Sequence, residues 1–453
     1  MNIKTTFLPV YCLLFIAASA IAQSPVLDSY IQEGLKSNLQ LQQEQLNYEK
    51  SLENLVVARS LFMPQLSAQG TYAFANGGRK IIIPIGDALN PVYSTLNQLT
   101  GTSAFPQIEN ISTNFLPNNF HDTKFRVVQT IFNPDVYFNY KAQRDLISVQ
   151  QAQKNAYVNE LRFNIASAYY QYLQTEEALI ILSKTRGILN ELLKVNTKLV
   201  ANAKATNDVV LSTEYELSKI EQQIAENGKN NEVAKSYFNF LLNRDLTVEI
   251  IRDTLSIAVG RKDQNVNQLA DQALSQRQEI KQLEGALQAN GQLVNLEKGN
   301  SYLPKLNVVG DIGYQGFEYK FDFPQQYALV QFGASWDIFK GGEKKAKLQQ
   351  ARIDYSVLEN KMQQLKKQIE LQVIQSYYEL KSAHQAYASS QSGVRSTEKA
   401  FQIIRSKYNE GQAILLEFLD SQNKLTTSRL TQSINYYELL RKEAGLNKTL
   451  SNI

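Results

Sequence analysis

The stretch LPKLNVVGDIGYQ at residues 303–315 decides the fold, because hydrophobic and polar residues alternate along it. Leu306 and Ile312 fall on one parity, and Lys305 and Asp311 fall on the other. A period of two places alternate side chains on opposite faces of a strand. The stretch therefore predicts a β-strand with one apolar face and one polar face.

The same pattern occurs a second time in the chain. MPQLSAQGTYAFA at residues 63–75 alternates similarly; QTIF from Gln129 returns as WDIF from Trp336, and AYY from Ala168 returns as SYY from Ser376. The later recurrences, which also include Lys198 and Lys407, are offset by 207 to 209 residues, whereas the first strands are offset by 240. We therefore predict a duplicated unit whose first copy carries an insert of roughly thirty residues between its strands.

Long helices are predicted between the strand regions because proline is absent there. None of the ten prolines lies between Pro134 and Pro304 or after Pro324, and proline inside a helix costs about 3 kcal/mol. Apolar residues recur at three- and four-residue steps from Tyr355 to Tyr387, as in a coiled coil. A single helix over 135–201 would reach on the order of 100 Å.

These signals define two predicted repeats. The first covers residues 23–262, with strands about 64–75 and 121–133 and a helical hairpin about 135–241; the second covers 263–453, with strands about 304–316 and 326–339 and a helical hairpin about 343–445. The predicted class is mainly α with membrane β.

The first residues, MNIKTTFLPVYCLLFIAASAIAQS, have the pattern of a secretory leader. Lys4 gives a charged start, an apolar stretch follows, and Ala20 and Ala22 form a small-residue cleavage site, which predicts a signal peptide over 1–22. Cys12 is the only cysteine and lies inside it. The mature chain is therefore expected to have no disulfide and no thiolate metal site.

Composition and motifs argue against nucleic-acid binding and against catalysis. The 47 basic residues nearly balance the 43 acidic ones, unlike the basic excess of a nucleic-acid-binding surface. Phosphate-binding loops and nucleophile elbows are absent from the sequence, and His121 and His384 have no ligand partner at metal-site spacing. We expect no enzyme activity and no cofactor. A pair of carboxylates alone can hydrolyse glycosides, but no concave site is predicted around the carboxylate pair found in this chain.

The four predicted strands suit a membrane, although the same alternation also fits a half-buried strand of a soluble sheet. They are about ten residues long with aromatic residues near their ends, as in tilted membrane strands. A basic side chain facing lipid costs roughly 2–4 kcal/mol, so Lys305 and Arg126 should face inward. On this parity the predicted lumen-facing residues are Gln69, Lys305, Asp311 and Asp337.

Four strands cannot close a membrane barrel, since single-chain barrels need about eight. An open sheet edge is not tolerated in hydrocarbon. Several copies of the chain must therefore share one barrel if the strands span the membrane.

The insert from Asn76 to Asn119 is rich in Pro, Gly and Asn and is expected to form the long outer loop of the first strand pair. Its apolar run from Ile81 to Ile85 is unusual for a solvated loop. Two roles stay open: the insert folds over the barrel mouth, or it contacts a neighbouring subunit.

The segment KYNEG at 407–411, followed by EFLDSQ at 417–422, resembles the helical-hairpin tip of the TolC outer-membrane factor family, also called outer membrane efflux proteins. The first copy has a related version, KLVAN at 198–202 followed by DVV at 208–210. With the leader, the duplication and the four strands, the resemblance covers the mature chain.

The resemblance implies a homotrimer in the outer membrane with a large periplasmic portion. Each subunit would give four strands to a shared 12-stranded barrel and its helices to a periplasmic tunnel. An equatorial region would gather the mature N-terminus, the segment from Leu246 to Asn267 and the C-terminus. The family forms passive exit ducts that receive substrates from an inner-membrane pump through a periplasmic adaptor. Small toxic compounds are the first expectation for cargo, with polypeptides or metal ions as alternatives.

The resemblance also implies functional residues. Glu417 and Asp420 match an acidic pair that narrows the tunnel entrance, and three copies would place six carboxylates around one axis, which attracts cations. The alternative is two solvated carboxylates on an exposed helix face. Asp208 and Tyr408 match an entrance lock in which the tyrosine donates to the carboxylate; ordinary coil packing is the alternative for Tyr408.

The hairpin tips predicted to contact the adaptor are Asn202, Lys204, Gly411 and Gln412. Ala413 stands where the family commonly has an arginine, two positions after the tip glycine, and Lys204 occupies the equivalent place in the first copy. Asn202 is expected to replace the glycine there, since Asn tolerates the left-handed conformation.

A different function is a soluble periplasmic coiled-coil scaffold or adaptor whose strands form a small sheet. Membrane fractionation distinguishes the two, because a scaffold washes off with carbonate whereas a membrane barrel does not.

Overall fold

The computed structural model describes residues 25–253 and 265–451. The predicted signal peptide and residues 254–264 of the predicted equatorial segment lie outside the described residues. The α-helices are α1 Pro25–Ser37, α2 Leu39–Ser60, α3 Ile85–Thr100, α4 Pro134–Ala201, α5 Asp208–Leu241, α6 Val266–Gln276, α7 Gln278–Tyr302, α8 Glu343–Asn409 and α9 Leu415–Thr449. The strands are β1 Gln65–Ala73, β2 Lys80–Ile83, β3 Ile111–Asn114, β4 Phe120–Phe132, β5 Lys305–Phe317 and β6 Gln326–Ser335.

The described residues divide into two compact units. One contains the described parts of Met1–Glu49, Ser148–Gly285 and Glu359–Ile453, and the other contains Lys50–Ile147 and Ala286–Leu358. Each unit draws on both halves of the chain. The repeat boundaries at 262 and 263 stay a prediction.

The two predicted helix pairs are present. The long helices α4 and α8 have 68 and 67 residues, and α5 and α9 are the return helices. Within α8 the predicted apolar stripe is buried at Met362, Ile369 and Val373. Proline-free sequence and a continuous apolar face therefore give the expected elements.

A four-stranded antiparallel sheet in the order β1-β4-β5-β6 lies in the second unit. Ala73 pairs with Phe120, and Phe120 pairs with Phe317, so these residues mark one end of the sheet. At the opposite end, every strand is close in sequence to a helix: α2 before β1, α4 after β4, α7 before β5 and α8 after β6. We call the end of the sheet at Ala73 the free end.

The two faces of this sheet differ as the alternation predicted. Each strand contributes an exposed apolar side chain to one face: Leu66 is 70% exposed, Phe125 62%, Ile312 62% and Val330 65%. Pairing of Phe125 with Ile312 places these residues on the same side. The other face carries the charged residues described below.

The predicted extent of β6 was wrong. Sequence alternation extended it to about residue 339, but it ends at Ser335, whose partner is Lys305. β5 begins at Lys305 because Pro304 has no N–H to continue the ladder. Trp336 and Phe339 are therefore exposed beyond the strand, at 53% and 84%.

The insert between β1 and β4 was predicted to be a loop, and this prediction was wrong. It contains the β2-β3 hairpin and the 16-residue helix α3, which has Pro91 inside it. Side-chain hydrogen bonds from Asn90 and Asn97 join α3 to the segment that follows it. Asn usually indicates turns, so the sequence favoured a loop where Asn instead fixes a helix in place.

A buried cluster in the first unit joins α1, α4, α5, α9 and the segment after α5. Leu27, Tyr169, Phe238, Ile250 and Tyr437 belong to it. Thus α1 and the start of the predicted equatorial segment pack together.

Candidate functional site

The tip of the second helix pair is a tight turn between α8 and α9. Gly411 has φ +74°, a left-handed conformation that glycine adopts without steric cost. Its N–H donates to the carbonyl of Tyr408 at 3.0 Å, and the N–H of Gln412 donates to that of Lys407 at 2.7 Å. These bonds satisfy carbonyls at the end of α8.

The tip of the first helix pair has the same bonding pattern, one residue later than the sequence predicted. The N–H of Ala203 donates to Val200 at 2.9 Å, and that of Lys204 donates to Leu199 at 2.8 Å. Ala203, with φ +53°, is therefore the equivalent of Gly411, and the assignment of that position to Asn202 was wrong. Asn202 instead donates its side-chain N–H to the Lys198 carbonyl at 2.7 Å.

The four residues predicted to contact an adaptor, Asn202, Lys204, Gly411 and Gln412, are all exposed. The two tips therefore present accessible backbone and side-chain groups within the first unit. Their role in adaptor contact stays a prediction.

Glu417 and Asp420 lie on one exposed face in the first turns of α9. Glu417 accepts a hydrogen bond from the backbone N–H of Ile414 at 3.1 Å, which caps the helix N-terminus. Asp420 pairs with Lys424 at 2.7 Å. The neighbours Phe418 and Leu419 point the other way, into a buried cluster with Leu182 and Phe401 (the tip core). Both carboxylates are thus exposed to solvent, each with one partner within the same chain.

Tyr408 enters a hydrogen-bonded chain that joins three helices. Its hydroxyl donates to Asn196 Oδ1 of α4 at 2.6 Å, and Asn196 Nδ2 donates to Thr213 Oγ1 of α5 at 2.9 Å. Asn196 and Thr213 are completely buried. Burial raises the pKa of the Tyr408 hydroxyl, and its bond to Asn196 opposes the rise. We call these three residues the tip polar chain.

Asp208, the predicted lock partner of Tyr408, lies elsewhere within the chain. It is exposed at the start of α5 and accepts a hydrogen bond from the Thr206 hydroxyl. Within one subunit Tyr408 therefore bonds to Asn196, not to Asp208. The role of Asp208 and Tyr408 as an entrance lock stays a prediction.

Sequence reasoning missed Asn196 and Thr213. Both are short polar residues at buried positions of α4 and α5, and the available signal was a short polar residue among apolar residues at helical spacing. A buried polar group must find a partner, and in a coiled coil such a residue can fix the register of the helices.

The polar face of the sheet carries a charged cluster. Arg126 binds Asp311 through two bonds, Nε to Oδ1 at 2.8 Å and Nη2 to Oδ2 at 2.7 Å. Lys124 pairs with Asp122, and Tyr327 donates to Asp122 Oδ1 at 2.8 Å. Asp311 is only 3% exposed. Each charge on this face therefore has an opposite partner, and the face is polar without a large net charge.

The remaining residues predicted to face the lumen have different positions. Gln69 pairs in register with Lys124, so it shares the charged face. Lys305 forms an ion pair with Asp135 at the start of α4. Asp337 lies beyond β6, exposed, and pairs with Lys340 at 2.8 Å. Asp337 is thus outside the sheet, and the lumen-facing role of the set stays a prediction.

Across residues 25–253 and 265–451, no helix has the length and hydrophobicity needed to cross a membrane. The same residues contain no group of three His, Cys, Asp or Glu side chains arranged to hold a metal ion.

Residues 269–452 match the family model described as outer membrane efflux protein. The predicted family resemblance is confirmed. The matched residues include the second helix pair, its tip and the last two strands of the four-stranded sheet. No curated protein matches the chain.

Solved outer-membrane channels have the same fold. CusC, described in a study of transmembrane channel formation, superposes with a TM-score of 0.77 at 15% identity, over 94% of this chain and 92% of that chain. The outer-membrane channel OprN gives 0.76 at 15% identity, over 94% and 90%. VceC from Vibrio cholerae gives 0.73 at 15% identity, over 94% and 95%. The predicted fold class is therefore confirmed.

The family description also bears on function. It names proteins of the outer membrane that act in efflux, which agrees with the predicted outer-membrane location and with the predicted non-enzymatic class.

Proposed function

We propose that the chain forms a homotrimeric exit duct that receives substrates from an inner-membrane pump through a periplasmic adaptor. Each subunit contributes four strands to a shared barrel of twelve and its two helix pairs to a periplasmic tunnel. The duct is passive, and the pump supplies the energy.

The observation that carries this proposal is the four-stranded sheet, which combines an exposed apolar face with a charged opposite face. Phe125 and Val330 on the apolar face suit contact with lipid, and Arg126 and Asp311 on the other suit a water-filled lumen. In the part of the chain that the structure describes, β1 and β6 are the outer strands of this sheet. Their free hydrogen-bonding groups need partners in a membrane.

Pairing of β1 with β6 of the next copy supplies those partners. Strand direction alternates across the sheet, so β1 and β6 run in opposite directions and their pairing continues the antiparallel order. The contact is head-to-tail, and such a contact closes into a ring when the rotation between copies divides a full turn. Three copies give the twelve strands proposed.

Glu417 and Asp420 form the entrance constriction in this proposal. They are exposed on one face of α9, and three copies bring six carboxylates toward the axis. Six negative charges around one narrow axis make the ring attract cations and repel anions. The exposed tip residues Lys204 and Gln412 are the proposed adaptor contacts.

Conductance of the purified protein in planar bilayers tests the duct and its entrance. The double variant Glu417→Gln and Asp420→Gln should lower the cation preference, and Gln at 417 keeps an oxygen that can still accept from Ile414. Glu410→Gln is the matched control, because Glu410 is an exposed carboxylate one residue before the tip glycine. Unchanged selectivity removes the pair from the entrance, and protein that forms no conducting channel contradicts the duct.

A soluble scaffold is the weaker alternative. It does not account for apolar side chains that are more than 60% exposed on all four strands of one sheet, such as Leu66 and Ile312. Carbonate washing of membranes separates the alternatives: the duct stays in the pellet, whereas a scaffold is released.

A further inference from the structure

The insert between β1 and β4 is held together by its own side chains. Asn90 exchanges two hydrogen bonds with the backbone of Ile108, both at 2.9 Å. Asn97 does the same with Phe105, at 2.7 and 3.0 Å. Each amide thus pairs with a peptide group as a neighbouring strand would. These hydrogen bonds fix the conformation of the insert, so the insert has a defined surface.

That surface includes an apolar helix face without a cover in the single chain. Leu89, Val92 and Leu99 of α3 are 38%, 51% and 78% exposed. Their spacing of three and seven residues places them on one side of the helix. We call these three residues the insert face. A helix that is fixed in place and exposes an apolar stripe indicates a contact surface.

The position of the insert relative to the four-stranded sheet identifies a neighbouring copy of the chain as the partner of the insert face. It leaves β1 at the free end, directly after Ala73, and β1 is an outer strand. The turn between β5 and β6 lies at the same end, because Gln326 pairs with Tyr314 near the end of β5. When β1 of one copy pairs with β6 of the next, the insert of the first copy lies beside the β5–β6 turn of the second.

The β5–β6 turn exposes aromatic side chains and is fixed in conformation. Phe323, in the short 3-10 helix just before β6, is 86% exposed. His121 of β4 is completely buried beneath the turn, with Nε2 2.9 Å from the Lys320 carbonyl and 3.0 Å from Gln325 Oε1. Its ring also contacts that of Tyr319 at 4.8 Å. A surface held in place before binding loses less entropy on association.

We propose that the insert face of each subunit packs against Phe323 of the neighbouring subunit, forming a clasp at the free end of the seam between copies. This inference rests on the proposed trimer, in which β1 and β6 meet. The clasp buries apolar side chains on both sides of the seam. It supplies a contact between subunits in addition to the strand pairing itself.

Paired cysteines test the clasp in the full-length protein extracted into detergent. Cys12 is the only native cysteine and lies in the predicted leader, so introduced pairs report on their own contact. Phe323→Cys is combined in turn with Leu89→Cys, Val92→Cys and Leu99→Cys. After mild oxidation, at least one pair should shift the denatured band from one chain to three, because each copy links to the next.

The control pair is Gln98→Cys with Phe323→Cys, since Gln98 is exposed on another side of α3. It should stay at one chain, as should each single-cysteine variant. A disulfide confined to one chain, equal linkage of the control pair, or no linkage by any of the three pairs overturns the clasp.

The unoxidised samples are run in parallel on a native gel. A trimer there, without linkage by the three pairs, overturns the clasp and leaves the proposed duct standing. A monomer overturns both. Linkage of the insert to a different protein would assign the insert face to that protein and overturn the clasp.

Discussion

Asn196 shows how a single buried amide can organise the helix-pair tips. It has no exposed surface, and it accepts from Tyr408 and donates to Thr213. The three residues come from α8, α4 and α5, so one side chain links both helix pairs. A shift in helix register would leave a buried polar group without a partner.

Tyr408→Phe should therefore destabilise the protein, because it leaves Asn196 Oδ1 buried without its donor. The expected loss is about 1–3 kcal/mol per subunit, measured by denaturant unfolding in detergent. Tyr215→Phe is the matched control, since Tyr215 is 69% exposed on α5. Equal stability of the two variants would contradict a structural role for the tip polar chain.

Ala203 occupies a conformation that glycine adopts at lower cost. Ala203→Gly should stabilise the first tip by about 1 kcal/mol, since a left-handed residue with a Cβ costs roughly that amount. Ala201→Gly, in the last position of α4, should have the opposite effect because glycine weakens helices. Thermal unfolding of both variants checks the pair, and a lower melting temperature for Ala203→Gly would refute this assignment.

At this scale the sequence predicted the turn at Gly411 but misplaced its counterpart by one residue. Matching Lys198 with Lys407 gives an offset of 209, whereas the backbone hydrogen bonds match Ala203 with Gly411, an offset of 208. Where a helix ends depends on its packing as well as on residue types. The hydrogen bond between Tyr408 and Asn196 depends on how three helices pack together, so the sequence alone did not predict it either.

Among the elements, the sheet depends on one well-formed ion pair. Asp311→Asn removes the charge that Arg126 binds through two hydrogen bonds, so this variant should be less stable than the unchanged protein. Asp337→Asn is the control, because Asp337 is exposed and an exposed ion pair contributes little to stability. Unfolding in detergent compares them, and equal losses would contradict the burial of Asp311.

The cluster around α1 should weaken at high pH. Burial raises the pKa of Tyr169 to about 12, and its hydroxyl bonds to the carbonyl of Ile251 and the N–H of Asp253. An unfolded tyrosine ionises near pH 10, so the folded state loses stability as pH rises from about 10 to 12. Melting temperatures across that range should fall less steeply for Tyr169→Phe. An equal fall in the melting temperatures of Tyr169→Phe and of the unchanged protein would contradict a role for the buried Tyr169 hydroxyl in this pH dependence.

Secondary-structure prediction succeeded where the periodicity of apolar residues determines the element. It failed where hydrogen bonds from side chains to the backbone determine the element. Alternation predicted β1, β5 and β6 clearly, whereas the pattern of β4 is less regular because Gln129 falls on its otherwise apolar parity. The helix α3 was missed, since Pro91 and the neighbouring Asn residues indicated a loop, whereas Asn90 and Asn97 bind the backbone beside it. The end of β6 depends on where β5 starts, which alternation within β6 does not reveal.

For the whole molecule, the sequence predicted assembly on the condition that the strands span a membrane, because four strands are too few to close a ring in lipid. The structure adds that β1 and β6 are the outer strands of the four-stranded sheet and run in opposite directions. In the proposed duct, closure of the ring sets the number of subunits, which the fold of one chain does not.

Native mass spectrometry of the detergent-extracted protein tests this most directly. The account predicts a mass of three chains that persists on dilution, because the strand edges of each copy are paired with those of the next. A folded single chain that remains in solution after the detergent is removed would contradict it.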